Sequence, residues 1–138
     1  MATYASGPFE VKMTPQAPAE GVGDPSVGRM ALDKRYQGGL EATSLGEMLA
    51  VRTDVAGSAG YVAMERVAGT LHGREGTFAL QHSGTMNRGV PRLELTVVPD
   101  SGTGELAGLA GSMAIQVEGG KHSYDFEYTL PGVEPPGE

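Results

Sequence analysis

The sequence predicts an all-β protein, an eight-stranded antiparallel up-and-down barrel. Three observations lead there. Apolar and polar residues alternate in one run after another, which is the period of a half-buried strand. Glycine and proline, 22 and 9 of 138 residues, fall between these runs rather than in repeats. No stretch shows the spacing of an amphipathic helix. A single sheet with one apolar face must cover that face, and closing on itself does so while removing the edges. A two-sheet sandwich is the alternative, but consecutive hairpins without crossovers favour the barrel. Eight strands enclose a space just wide enough for side chains or one small ligand.

The first strand covers residues 9–14, where Phe9, Val11 and Met13 alternate with Glu10, Lys12 and Thr14. Residues 15–28 contain Pro15, Pro18, Gly21, Gly23 and Pro25 and read as a mobile loop, able in a barrel to cover one end. A second strand spans 29–37. After a turn at Gly38-Gly39, a third spans 40–53. Its inward face stays open between Leu45, Glu47, Leu49, Val51 and Leu40, Ala42, Ser44, Met48, Ala50. The first choice would bury Glu47.

Residues 61–86 form a long hairpin with its turn at 73–76. Placing Leu71 opposite Phe78 sets Val67 against His82 and Glu65 against Gly84, all on one side. That side is apolar apart from Glu65 and His82. The strand at 92–98 follows, with Leu95 against Gly84 and Val97 against His82. Residues 99–113 are too rich in glycine for a helix and read as a tight, bulged loop. A phosphate cradle there lacks the Lys-Ser/Thr pair and the following helix. In the last hairpin Gly119-Gly120 separates two alternating runs, a strong two-residue turn signal. It pairs Val117 with His122, Ile115 with Tyr124 and Met113 with Phe126. Residues 131–138 are proline-rich and read as a flexible tail.

Residues 1–138 make one domain. The net charge is -7, which argues against a nucleic-acid backbone as partner. No cysteine is present, so disulfides and thiolate chemistry are excluded. No apolar run is long enough to span a membrane, and the N-terminus lacks a basic region followed by an apolar core. A cytoplasmic protein with no membrane partner is expected.

A carboxylate and an imidazole on an apolar face are costly unless paired or used. Glu65 and His82, on neighbouring strands and able to hydrogen-bond directly or through one water, are the candidate catalytic pair; the alternative is a satisfied polar pair that fixes the register. Burial would raise the pKa of Glu65 towards that of a proton donor. Tyr61, Phe78, Met86, Met113, Tyr124, Phe126 and Tyr128 share the inward phase and are the candidate ligand-binding residues. Three inward tyrosines with a Glu and two His would make a polar end to an apolar cavity. Glu65, His82 and His122 lack recognisable metal-ligand spacing, so no metal and no cofactor is expected. No G-x-S-x-G is present.

The pattern Gly60-Tyr61, Glu65-Arg66-Val67, Gly69-Thr70-Leu71, Gly73-Arg74, Gly76-Thr77-Phe78 and Gln81-His82-Ser83-Gly84, followed by SGTGELAGLAG and YDFEYTL, resembles an uncharacterised bacterial family with an allene oxide cyclase-like barrel. The likeness covers residues 9–130. GTGELAGLAG is also similar to a glycine-rich loop of plant allene oxide cyclases and dirigent proteins. The resemblance implies an eight-stranded barrel with an elongated apolar cavity. It carries over no catalytic residue.

Three functions stay open. The chain binds a small, largely apolar molecule and acts on it as a cofactor-independent cyclase or isomerase through Glu65 and His82. It binds such a molecule without chemistry. Or it is a structural or protein-interaction barrel with a filled core. Val62, Met64, Ala79 and Val98 offer an outer apolar patch for a homodimer or higher homo-oligomer.

Overall fold

A computed structural model describes residues 2–17 and 20–133. Residues 18 and 19 of the 15–28 loop, and most of the expected flexible tail, lie outside the described residues. The strands are β1 (Thr3–Pro15), β2 (Gly28–Tyr36), β3 (Leu40–Arg52), β4 (Ala59–Leu71), β5 (Arg74–Asn87), β6 (Val90–Val97), β7 (Ala110–Glu118) and β8 (Lys121–Thr129). They follow one another in sequence order around a closed antiparallel barrel, sealed by β8 pairing with β1. Among the described residues, no helix is long and apolar enough to cross a membrane.

Three hairpins turn on two residues with positive φ at both positions: His72-Gly73, Arg88-Gly89 and Gly119-Gly120. That geometry matches the twist of the flanking strands and favours glycine at its second position. Because β4 turns at His72-Gly73 and not over 73–76, its register with β5 differs from the sequence prediction. Val67 pairs with Phe78, Glu65 with Leu80, Ala63 with His82 and Tyr61 with Gly84. The β5–β6 register also shifts, so His82 faces Leu95 and Gly84 faces Leu93. Both shifts are by an even number of residues, so every side chain keeps its predicted face. The β7–β8 register is the predicted one.

β1 begins at Thr3, six residues earlier than predicted, because Ala5 and Gly7 pair with Phe126 and Tyr124 to close the barrel. On β3 the inward set is Leu40, Ala42, Ser44, Met48 and Ala50. Glu47 lies outside, paired with Arg29 at 2.6 Å. The 98–109 connection includes a 3-10 turn, Gly104–Leu106, and its Leu106 and Leu109 enter the core.

The interior has two unlike ends. At the end carrying His72-Gly73 and the 98–109 connection, aromatic and leucine side chains fill the barrel. The opposite end carries Arg88-Gly89, Gly119-Gly120 and the 53–58 loop. There the inward phase of β1, β2, β3 and β5 carries Met13, Met30, Met48 and Met86, four of the seven methionines. Met13 and Met86 are 51% and 41% exposed, so this end is open. Residues of the 15–28 loop, Val22, Asp24 and Val27, lie against the outer wall with Leu45, Leu49, Val62 and Met64. They do not cover the open end.

Candidate functional site

Between the two ends sits a buried polar cluster centred on Glu65. β4 delivers Glu65 from one side, β2 delivers Lys34 and Tyr36, β3 delivers Ser44 and β5 delivers His82. Each is inward because it shares the phase of its apolar neighbours on the same strand. The Glu65 side chain is fully buried, and those of Lys34 and His82 are nearly so. Four donors converge on its carboxylate. Lys34 Nζ and His82 Nε2 donate to Oε2 at 2.7 and 2.6 Å. Tyr36 OH and Ser44 Oγ donate to Oε1 at 2.5 and 2.8 Å. Lys34 Nζ also lies 5.5 Å from the centre of the Phe9 ring, in cation–π range.

This geometry reverses the expected protonation of Glu65. Burial alone would push its carboxyl up. The His82 hydrogen bond, the Lys34 charge and hydrogen bond, and the Tyr36 hydrogen bond together outweigh burial and hold it down at about 2. Glu65 is a fixed anion and not a proton donor at neutral pH. A carboxylate can only accept, so His82 Nε2 carries the shared proton. The other imidazole nitrogen, Nδ1, faces the Tyr61 hydroxyl at 3.4 Å. Burial, and then the Glu65 charge, push Tyr61 above an ordinary phenol and do the same more strongly to Tyr36. Both remain hydroxyls.

Tyr61 is the one member of this chain of contacts that reaches open space. It lines a cavity of about 330 Å³ at the open end, with Met48, Ala50, Gly84, Met86 and Leu93 among its neighbours. The ring of Tyr61 lies directly over Gly84, where a Cβ would run into its Cε1. The absent side chain at Gly84 is what gives the ring its place. A larger concavity of about 1000 Å³ lies on the outer wall between β2–β5 and residues 22–27. It borders the backbone behind Glu65 and His82, but their side chains turn away from it into the barrel, 0% and 3% exposed. The smaller cavity is therefore the one connected to the cluster.

The structure brings Glu65 and His82 together as predicted, across the opposite diagonal of the hairpin. Of the predicted ligand-binding residues, Tyr61 and Met86 border the cavity. Phe78, Met113, Tyr124, Phe126 and Tyr128 are buried in the filled end and border neither this cavity nor the outer concavity. Tyr124 accepts from Leu40 N at 2.9 Å and donates to Gln37 O at 2.6 Å, fastening the β2–β3 turn. Tyr128 contacts His72 Nδ1 at 2.5 Å beside the β4–β5 turn. So the three tyrosines do not share one polar end: two serve the closed end and one the open end. His122 packs on Phe9 at 5.2 Å and does not join the cluster.

Lys34, Tyr36 and Ser44 were not singled out from the sequence. The signal was present: Lys34 alternates with Leu32 and Tyr36 on what had to be the inward face of β2. A lysine on an apolar face calls for a buried anion, and Glu65 was available.

Residues 5–128 match the family described as "Protein of unknown function (DUF3224)". A solved structure of a protein with unknown function from the same family, from Shewanella oneidensis MR-1, is 53% identical to the chain. It superposes with a TM-score of 0.86, covering 94% of this chain and 98% of that one. No protein of curated function shows significant similarity to the chain.

Proposed function

We propose that this chain, which belongs to the DUF3224 family of proteins of unknown function, takes a small, largely apolar molecule into the open end of its barrel and isomerises or cyclises it by moving a proton. The observation that carries this is the continuous contact from the cavity wall to a buried anion: Tyr61 OH to His82 Nδ1, and His82 Nε2 to Glu65 Oε2. His82 is held by Glu65 in the tautomer that leaves Nδ1 free to accept. Glu65 would then stabilise the imidazolium that forms, as a buried carboxylate does for a general base. Tyr61, kept as a hydroxyl, relays the proton between substrate and imidazole. A proton taken from one position and returned at another leaves no net oxidation, so the chemistry needs no cofactor.

One observation favours a second reading, a structural barrel. Among the described residues, no buried side-chain nitrogen or oxygen lacks a partner. A carboxylate satisfied four times over can simply hold β2, β3, β4 and β5 in place.

Native mass spectrometry of the purified protein separates them, with any released small molecule returned to fresh protein in D2O. The proposal expects a stoichiometric ligand that gains carbon-bound deuterium with wild type and none with His82→Gln, which can still donate to Glu65. A ligand that binds but never exchanges would leave a binding protein. No ligand, together with unaltered stability in Tyr61→Phe, would favour the structural barrel.

A further inference from the structure

We infer that the molecule taken up is a compact apolar carboxylic acid, held with its carboxylate at the rim and its far end at Tyr61. This rests on the reading of the open end as a ligand cavity. The chain has 17 acidic and 10 basic residues, yet among the described residues the only charged ones bordering this cavity are Arg52 and Arg92. In a molecule with net charge -7, a small anion would otherwise be repelled. Arg52 reaches this rim on the inward phase with no acid among the described lining residues, which makes this the place where an anion is accepted.

The two arginines are not equivalent. Arg52 shares the inward phase of Met48 and Ala50 at the end of β3, and among the described residues it belongs to no ion pair. Arg92 takes the outward phase beside Leu93. It lies 3.6 Å from Glu94, in a pair so exposed, at 81% and 69%, that it competes weakly for the guanidinium. Arg52 is the anchor, and Arg92, turned outward, adds only positive potential near the rim.

Depth and size complete the picture. Arg52 pairs with Ala59 at the rim, whereas Tyr61 pairs with Ala50 one inward step further down. A carboxylate on Arg52 therefore points the rest of the molecule towards Tyr61 and His82. The wall it passes is Met48, Met86 and Leu93. Thioethers adapt to varied apolar shapes and suit aromatic rings in particular. The volume of about 330 Å³ equals about ten waters, at about 30 Å³ each, which sets the body at on the order of a dozen heavy atoms. The reacting position is then the end remote from the carboxylate.

Three probes with one skeleton test this by isothermal titration at low salt: 4-phenylbutyrate, 4-phenylbutan-1-ol and 4-phenylbutylamine. The acid is expected to bind several-fold tighter than the alcohol, as one partly exposed ion pair beside a second positive charge would give, and the amine weakest. Arg52→Gln should remove most of the acid's advantage and Arg92→Gln a smaller part, with the alcohol unchanged in both. Raised salt should narrow the gap between acid and alcohol in wild type. Equal binding of acid and alcohol to wild type overturns the carboxylate inference and leaves the cavity reading standing. If none of the three binds, both fall.

Discussion

At the closed end of the barrel Phe78, Phe126 and Tyr128 stack at 5.4 to 5.9 Å, and Leu106, Leu109 and Leu130 pack in with them. At the open end β5, β6 and β7 present Met86, Leu93 and Val117 with 41%, 39% and 63% of their surface still exposed. The strands alone do not cause this difference. The 98–109 connection turns its leucines inward at one end, while Val22, Asp24 and Val27 ahead of β2 lie against the outer wall and do not cover the other end. Filling buys stability at the closed end; the open end keeps space and flexible side chains. The Glu65 cluster lies between them and belongs energetically to the first and chemically to the second.

The comparison breaks most visibly at Glu65. Glu65→Ala would strand the Lys34 ammonium and leave His82, Tyr36 and Ser44 without their shared acceptor. A loss of about 3–5 kcal/mol is expected in urea denaturation, the scale for removing one partner of a buried pair. Acid should act on the same group. Its carboxyl titrates near 4.5 when unfolded and at about 2 when folded, so between those values the unfolded chain binds more protons. The Glu65 contribution is therefore complete above pH 4.5 and is lost as pH falls towards 2. It amounts to on the order of 3 kcal/mol. Glu65→Gln should flatten that part of the stability–pH curve. An unchanged slope would mean that Glu65 is not held as an anion.

The two ends themselves are compared by one pair of variants. Met113 is 5% exposed in the filled end, and Met113→Ala should cost about 2–4 kcal/mol. Met86, on the rim, should cost under about 1 kcal/mol when replaced by alanine. Equal losses would show that something covers the mouth in solution, and the contrast between the ends would collapse.

Much of this was legible in the sequence. Alternation located all eight strands, and the faces of β4, β5, β7 and β8 came out right because a strand's period is two. Register was harder. Gly119-Gly120 announces its own turn. His72-Gly73 does not, because histidine is an unusual first residue for that geometry and Gly76 offers a rival. The even slip that resulted left Glu65 and His82 adjacent but gave them the wrong neighbours. The protonation of Glu65 was harder to read. Besides His82 it depends on Lys34 and Tyr36 of β2, a strand that does not neighbour β4, so the inward Lys34 called for a buried anion without saying which one. Which aromatics fill and which line a cavity was equally hidden, since filling is decided by where the 98–109 connection turns.

Gly84 gives the smallest expected effect on stability and the sharpest test of the open end. Its backbone is ordinary for a strand, so alanine there costs no strain and relieves some chain entropy. The added Cβ must displace the Tyr61 ring, with Cδ1 at 2.9 Å and Cζ at 3.2 Å from it. That ring is half-buried on a cavity wall and can swing outward into free space. Gly84→Ala should therefore stay within about 1 kcal/mol of wild type. It should nonetheless separate the Tyr61 hydroxyl from His82 and narrow the cavity. Phenylbutyrate affinity should fall several-fold, roughly 1 kcal/mol, and deuterium exchange should be lost. Tyr61→Phe separates the two consequences, because it keeps the ring in place and removes only the hydroxyl: binding should survive and exchange should not. If Gly84→Ala binds the acid as wild type does, Tyr61 does not wall the site, and the connection from cavity to carboxylate is not the one used.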